Sequence, residues 1–184
     1  RTGQAFFGFA RHGIVPDMIT MGKPMGNGIP ISGLAAKEDV LAAFSDKLPY
    51  FNTFGGNPVS ISAAQAVLKY IKDENLQEHC KKAGAALLKA LKEVQERHPE
   101  SVGDVRGAGL FLGFEFVKND GNKTPDKDMA LNVIEMLRDE HILTSVIGHY
   151  GNILKLRPPM VFSENDIDWF ATSLDKCITK LENK

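Results

Sequence analysis

The chain has 184 residues, a mass of 20.2 kDa and 43% apolar residues, enough for one domain, or two small ones, with a buried core. Its 22 lysines and arginines against 23 aspartates and glutamates give a formal net charge of −1, which makes nucleic acid or an anionic membrane a poor candidate partner. Two distant cysteines, no signal pattern and no apolar run of membrane-spanning length indicate an intracellular protein, cytoplasmic or mitochondrial.

The first sixty residues are rich in glycine and proline. Apolar stretches at 18–21 and 31–36, each bounded by turn residues, predict two short buried strands. Between them, residues 22–30 read GKPMGNGIP, in which glycines permit positive φ and prolines remove backbone donors. This composition predicts a tight irregular loop, and we expect chemistry there.

The rest of the chain predicts a mixed α and β fold. Asn57-Pro58 starts a helix over 58–73, and apolar periodicity predicts a second helix over 76–98. Further elements follow as strands at 102–105 and 109–117 joined by a turn at 106–109, a helix over 125–140, strands at 142–146 and 152–156, and a last helix behind the Ser163/Asp166 capping box. A soft domain boundary is expected between 74 and 100.

Lys23 is the first candidate for chemistry, because it directly follows an apolar strand and lies in the Gly/Pro loop. A lysine that is partly buried at such a place can lose its proton, and the neutral amine can form a Schiff base with a carbonyl group. The alternative is an ordinary loop lysine that points into water or hydrogen-bonds a helix end.

The segment 50–58, YFNTFGGNP, combines hydroxyl groups, two glycines and the start of a helix. A helix N-terminus next to a threonine such as Thr53 is a candidate phosphate site, although Asn57 can equally serve only as a helix cap.

Arg157 ends an apolar strand immediately before Pro158-Pro159. Its planar fork can bind a carboxylate in a cleft, or it can pair with a structural acid, and spacing alone leaves both open. Arg106, beside two glycines, shows the same ambiguity and favours a structural role. The five histidines and two cysteines lack metal-ligand spacing, so no metal site is predicted, and both cysteines are expected to fill the core.

Several of these stretches together resemble the class III, or ω-type, aminotransferases, a branch of the fold-type I pyridoxal-phosphate (PLP) enzymes. Nearly the whole chain is covered, and the wording around Thr53 and Arg157 is most similar to the alanine–glyoxylate aminotransferase 2 and phospho-lyase group. The stretches that carry the resemblance are Arg1–Gly3, Arg11–Asp17, Ile19–Gly28, Asn52–Pro58, Gly103–Leu110 and Asn152–Pro159.

The resemblance implies a role for each of three residues. Lys23 corresponds to the lysine that forms the Schiff base with PLP and then shuttles a proton. Thr53 corresponds to the threonine that reaches the cofactor phosphate of the partner subunit in a homodimer. Arg157 corresponds to the arginine that binds the α-carboxylate of the substrate.

The resemblance also implies that the chain is the C-terminal portion of a longer enzyme. Residues 1–75 would be the end of the large PLP-binding domain, and residues 76–184 the small α+β domain with its linking helix. The aspartate that pairs with the pyridine nitrogen and the phosphate cup would precede Arg1, so the portion alone is expected to be inactive.

Three functions remain open at this point. The first is transamination between an amino acid or ω-amine donor and a 2-oxo acid. The second is PLP-dependent elimination of phosphate from a phospho-amine, which needs a second basic pocket. The third is a non-catalytic fragment that only dimerises.

Overall fold

The computed structural model of the chain describes residues 2–3 and 5–183. It divides into two compact units. The amino-terminal unit is Ala5–Asn75, and the carboxy-terminal unit comprises residues 76–183 together with Thr2 and Gly3.

The amino-terminal unit contains a two-stranded antiparallel sheet. Strand β1 (Met18–Met21) pairs with β2 (Gly33–Ala36), so that Met18 lies opposite Ala36. The second strand starts at Gly33, two residues later than predicted. The pairing ends there because Gly33 lies opposite Met21, the last residue of β1, and Gly22 begins the following turn. The expectation that both strands are buried is wrong, since every residue of the two strands is exposed or only partly buried.

Two helices complete this unit, α1 (Glu38–Ser45) and α2 (Pro58–Asp73). The sequence reading predicted α2 with these bounds and missed α1, whose first turn carries Glu38 and Asp39 as a helix start should. The side chain of Asn57 caps α2 by accepting hydrogen bonds from the backbone N–H groups of Val59 and Ser60, at 3.0 and 3.2 Å. The cap role of Asn57 is therefore confirmed.

The carboxy-terminal unit has a four-stranded antiparallel sheet in the order β3-β4-β6-β5. Its strands are β3 (Val102–Ala108), β4 (Phe111–Phe116), β5 (Ser145–Ile147) and β6 (Ile153–Leu156). The turn predicted at 106–109 is wrong: β3 continues through Arg106, and the chain reverses at Gly109-Leu110. The reversal is this tight because Gly107 and Gly109 adopt φ of 148° and 53°.

Three helices accompany this sheet, α3 (Leu76–Arg97), α4 (Lys127–Asp139) and α5 (Glu164–Glu182). Helix α4 starts two residues later than predicted, because Pro125 bridges to Val117 and Asp126 is the cap. The Ser163/Asp166 capping box of α5 is present as predicted. The buried core lies between helices and sheet, with α3, β4 and α5 supplying Leu87, Leu91, Phe114, Phe116, Leu174 and Ile178 among others.

Both cysteines belong to this core. Cys80 is fully buried on α3, and Cys177 is 2% exposed on α5, which confirms the expectation that they fill space. Burial raises the pKa of the Cys177 thiol, so it stays protonated and inert at neutral pH.

A polar cluster joins the ends of α3 and α5 around His98, which is buried. Its Nδ1 lies 2.7 Å from Glu182 Oε2 and its Nε2 lies 3.0 Å from Asp175 Oδ1, while Arg97 Nε donates to the same Asp175 oxygen at 2.7 Å. Burial raises the pKa of Asp175, but the hydrogen bonds from Arg97 and His98 outweigh it, so the pKa lies below its usual range. The cluster therefore favours the ionised carboxylate.

Asp175→Asn is expected to destabilise the protein by about 1–2 kcal/mol at neutral pH, because a charge-assisted bond is lost from a partly buried site. Since the folded-state pKa of Asp175 is lowered, its contribution is present above the unfolded pKa of about 4 and fades as the pH falls through the folded value. Urea unfolding from pH 7 to pH 3 measures this. The matched control is Asp168→Asn, an exposed aspartate on the same helix, and an equal loss in both variants would contradict the prediction.

Candidate active site

Lys23 lies two residues beyond the last residue of β1, where a 3₁₀ turn (Lys23–Gly26) begins. Its backbone adopts φ 51°, a left-handed conformation that costs a non-glycine residue about 1–2 kcal/mol. The fold therefore retains backbone strain at Lys23, directly before Pro24. Strain of this kind concentrates at functional sites, so the conformation agrees with the candidacy of Lys23.

The surroundings of Lys23 fix the turn but leave the side chain exposed. Gly26 is buried, and a Cβ on it would lie 2.9 Å from Cγ2 of Ile31, so the loop closes tightly on itself. Asn27 N donates to Pro24 O at 3.1 Å, and α2 packs against the turn. The partial burial expected for the Lys23 amine is not supplied by the described residues, which corrects that part of the sequence reading.

Thr53 lies in an ordered loop before α2. Asn52 Oδ1 accepts from the backbone N–H groups of Phe54 and Gly55, at 3.1 and 3.0 Å, and Asn52 Nδ2 donates to the Tyr50 hydroxyl at 3.1 Å. The side chain of Thr53 is exposed at the crest of this Asx turn. Asn57 already accepts hydrogen bonds from two N–H groups of α2. The Thr53 hydroxyl is therefore the main hydrogen-bond donor that this segment can offer to an anion.

Arg157 directly follows β6 and is exposed. Its guanidinium carbon lies 4.1 Å from the centroid of the Phe111 ring, a cation–π contact. Arg106 behaves differently, because its Nη1 donates to Asp104 and Glu115, each at 2.6 Å. These hydrogen bonds raise the pKa of Arg106, and the bond to Glu115 has the larger effect. The structural role favoured for Arg106 is confirmed.

The predicted site residues fall into both units. Lys23 and Thr53 belong to the amino-terminal unit, where α2, which starts just after Thr53, supports the turn of Lys23. Arg157 belongs to the carboxy-terminal unit. Sequence reasoning missed Phe111, although an aromatic residue directly after a Gly-rich reversal could have indicated a specially placed ring.

Among residues 2–3 and 5–183, no group of three histidine, cysteine or acidic side chains could hold a metal ion. No helix in the described part of the chain is long and apolar enough to cross a membrane.

The fold defines the class of protein, which is that of the fold-type I PLP-dependent transferases. A phospholyase from Arthrobacter, solved in complex with phosphoethanolamine, superimposes with a TM-score of 0.93 at 37% identity, over 97% of this chain and 42% of that one. The family model for aminotransferase class III matches residues 1–178. The chain therefore belongs to the class III aminotransferase family.

Two curated relatives lie on either side of a functional division within this family. Ethanolamine-phosphate phospho-lyase homolog 1 of Caenorhabditis elegans is 45% identical over 91% of this chain, and the mitochondrial alanine–glyoxylate aminotransferase 2 homolog 2 of Arabidopsis thaliana is 38% identical over 98%. The chain spans 36% and 37% of the length of these two relatives. Family membership implies PLP as the cofactor.

Proposed function

We propose that the protein is a PLP-dependent enzyme that transfers an amino group from an amino acid or ω-amine to a 2-oxo acid. The single observation that carries the proposal is the match of the class III family model to residues 1–178, with Lys23 at its strained strand-end turn. The donor set fits the cofactor, since an exposed amine suits its aldehyde and an exposed hydroxyl beside a helix start suits its phosphate.

The roles of the three residues follow from their chemistry. Lys23 Nζ would hold the cofactor covalently and, when released, would take a proton from the substrate Cα and deliver it to C4′ of the cofactor. The Thr53 hydroxyl would donate to the cofactor phosphate of a partner copy in a homodimer. Arg157 would bind the substrate carboxylate through its fork. When bound, PLP supplies the electron sink that stabilises negative charge on the substrate carbon.

The two units carry these roles separately. We assign residues 1–75 to the end of the large cofactor-binding domain and residues 76–184 to the small domain, since the chain passes from one compact unit to the other between Asn75 and Leu76, although Thr2 and Gly3 group with the carboxy-terminal unit. In this assignment, the residues proposed for cofactor chemistry belong to one unit and the residue proposed for carboxylate binding belongs to the other.

A second candidate function, elimination of phosphate from a phospho-amine, is favoured by the 45% identical phospho-lyase homologue and by the Arthrobacter structure. Both reactions would begin with the removal of a proton from the substrate carbon by Lys23. The elimination breaks a carbon–oxygen bond and, with one water, yields inorganic phosphate, ammonia and an aldehyde. Arg157 would then serve a phosphate in place of a carboxylate, since its fork suits either anion.

The test uses the full natural polypeptide that carries this chain, mixed with PLP. Borohydride reduction followed by peptide mass mapping should place the cofactor on Lys23. Alanine with glyoxylate should then yield glycine and pyruvate, while phosphoethanolamine tests for inorganic phosphate release.

The products separate the alternatives. Amino transfer supports the proposal, and phosphate release without amino transfer replaces it by the lyase. Scattered labelling of surface lysines, with no absorbance band of bound cofactor and neither product, would leave a non-catalytic chain that only dimerises.

A further inference from the structure

The contact between Arg157 and Phe111 follows from the register of the sheet. Leu112 in β4 pairs with Leu156 in β6, so extending this antiparallel pairing by one residue sets Phe111 opposite Arg157. Leu112 and Leu156 point into the core, and the next residues therefore share the outer face. The ring and the guanidinium meet there at 4.1 Å.

The chain reversal before Phe111 packs closely against the Phe111 backbone. Gly107 adopts φ 148°, and a Cβ at this position would lie 2.2 Å from the Phe111 carbonyl oxygen. Phe111 thus starts β4 from a turn that only glycine at position 107 permits. The position of the ring is set by this backbone, although the ring itself is 46% exposed and fills no core space.

Acidic and basic side chains lie at different places on the outer face of the sheet. Glu115 and Asp104, the acids of the β3–β4 hairpin on this face, are both held by Arg106. Lys155 lies two residues before Arg157 in the chain and therefore on the same face. The end of the face at Arg157 consequently carries two cations.

Stacking on a ring and binding an oxyanion are compatible for a guanidinium. The ring contacts the face of the planar group, whereas the N–H donors point outward in its plane. A stacked guanidinium also loses fewer conformations when it forms a bidentate bond, because the ring has already restricted it.

We propose that Phe111 is a positioning residue for Arg157: its ring holds the guanidinium so that the fork is presented to an oxyanion of the substrate, a carboxylate or a phosphate. This inference rests on the proposed function and specifies how its substrate is oriented. Phe111 touches neither substrate nor cofactor in this role and acts only through Arg157.

The experiment compares Phe111→Leu with Phe111→Tyr in the full natural polypeptide loaded with PLP. Leucine removes the ring and keeps apolar bulk, whereas tyrosine retains the stack. For the anionic substrate that the enzyme turns over, Phe111→Leu should raise KM about two- to fivefold with kcat nearly unchanged. Phe111→Tyr should keep KM at the wild-type value. The control is Trp169→Leu, an aromatic residue on α5 with similar exposure, which should leave KM unchanged.

A second readout needs no turnover. In protein labelled with ¹⁵N-arginine, the Arg157 Nε–H signal, assigned by its loss in Arg157→Lys, should be shifted upfield by the ring and should move downfield in Phe111→Leu. In an Arg157→Ala background, Phe111→Leu should add no further change in KM.

The outcomes separate this inference from the proposed function. If the wild-type protein turns over neither an amino acid nor a phospho-amine, the proposed function fails, and substrate orientation by Phe111 fails with it. If it turns over either substrate while Phe111→Leu leaves both KM and the Arg157 signal unchanged, the positioning role alone is overturned. A rise in KM for alanine and glyoxylate identifies a carboxylate as the anion, and a rise for phosphoethanolamine identifies a phosphate.

Discussion

Lys23→Ala is expected to lower turnover by about 10²- to 10⁴-fold or more, because the same amine would both hold the cofactor and move the substrate proton. Lys23→Arg should be equally inactive, since a guanidinium keeps its charge and cannot act as a neutral amine. Steady-state kinetics with saturating PLP, alongside borohydride trapping and mass mapping, measure both losses in one preparation.

The control for Lys23 is Lys47→Ala, an exposed lysine in the same unit. It should retain full turnover and full trapping. Trapping that persists in Lys23→Ala, at a single other lysine and with normal turnover, would show that a different amine carries the cofactor.

Gly84→Ala is expected to destabilise the protein by about 3 kcal/mol, although alanine is the better helix former. Gly84 lies within α3, where the helix meets the β3–β4 reversal. A Cβ there would lie 2.2 Å from the carbonyl carbon of Gly109 and 2.3 Å from its Cα. These are backbone atoms, so the overlap can be relieved only by separating helix and turn. Urea unfolding followed by circular dichroism measures the loss.

Ala85→Gly, at the exposed neighbouring position of α3, isolates helix propensity from the steric effect. It should cost about 1 kcal/mol. If propensity governed position 84 as well, Gly84→Ala would raise the unfolding midpoint, and that result would refute the close approach of Gly84 and Gly109.

The elements that sequence reading located best are those with local signals. Helix α2 has its cap at Asn57 followed by Pro58, and α5 has the Ser163/Asp166 box, so both starts agree with the structure. The β3–β4 reversal was misplaced because Gly107, within a strand, adopts a positive φ that its sequence does not distinguish from the turn at Gly109.

The same difference between local sequence signals and long-range packing applies to the candidate site. Lys23 and Arg157 could be chosen from the sequence because each comes within two residues of the end of an apolar strand, yet their surroundings could not be predicted. The exposure of Lys23 depends on packing, and the Phe111–Arg157 contact joins residues 46 positions apart (157 − 111) through a strand register that no local pattern encodes.

The buried apolar side chains found in the described residues all lie at or beyond Leu76, whereas many large apolar side chains of Ala5–Asn75 are exposed. This uneven distribution has a consequence for the order of folding. The carboxy-terminal unit gains hydrophobic free energy from its own residues and can offset its loss of chain entropy, while the amino-terminal unit has little of this gain. For this chain taken by itself, we therefore expect the sheet that carries Arg157 to form first, and the turn that carries Lys23 to become ordered last.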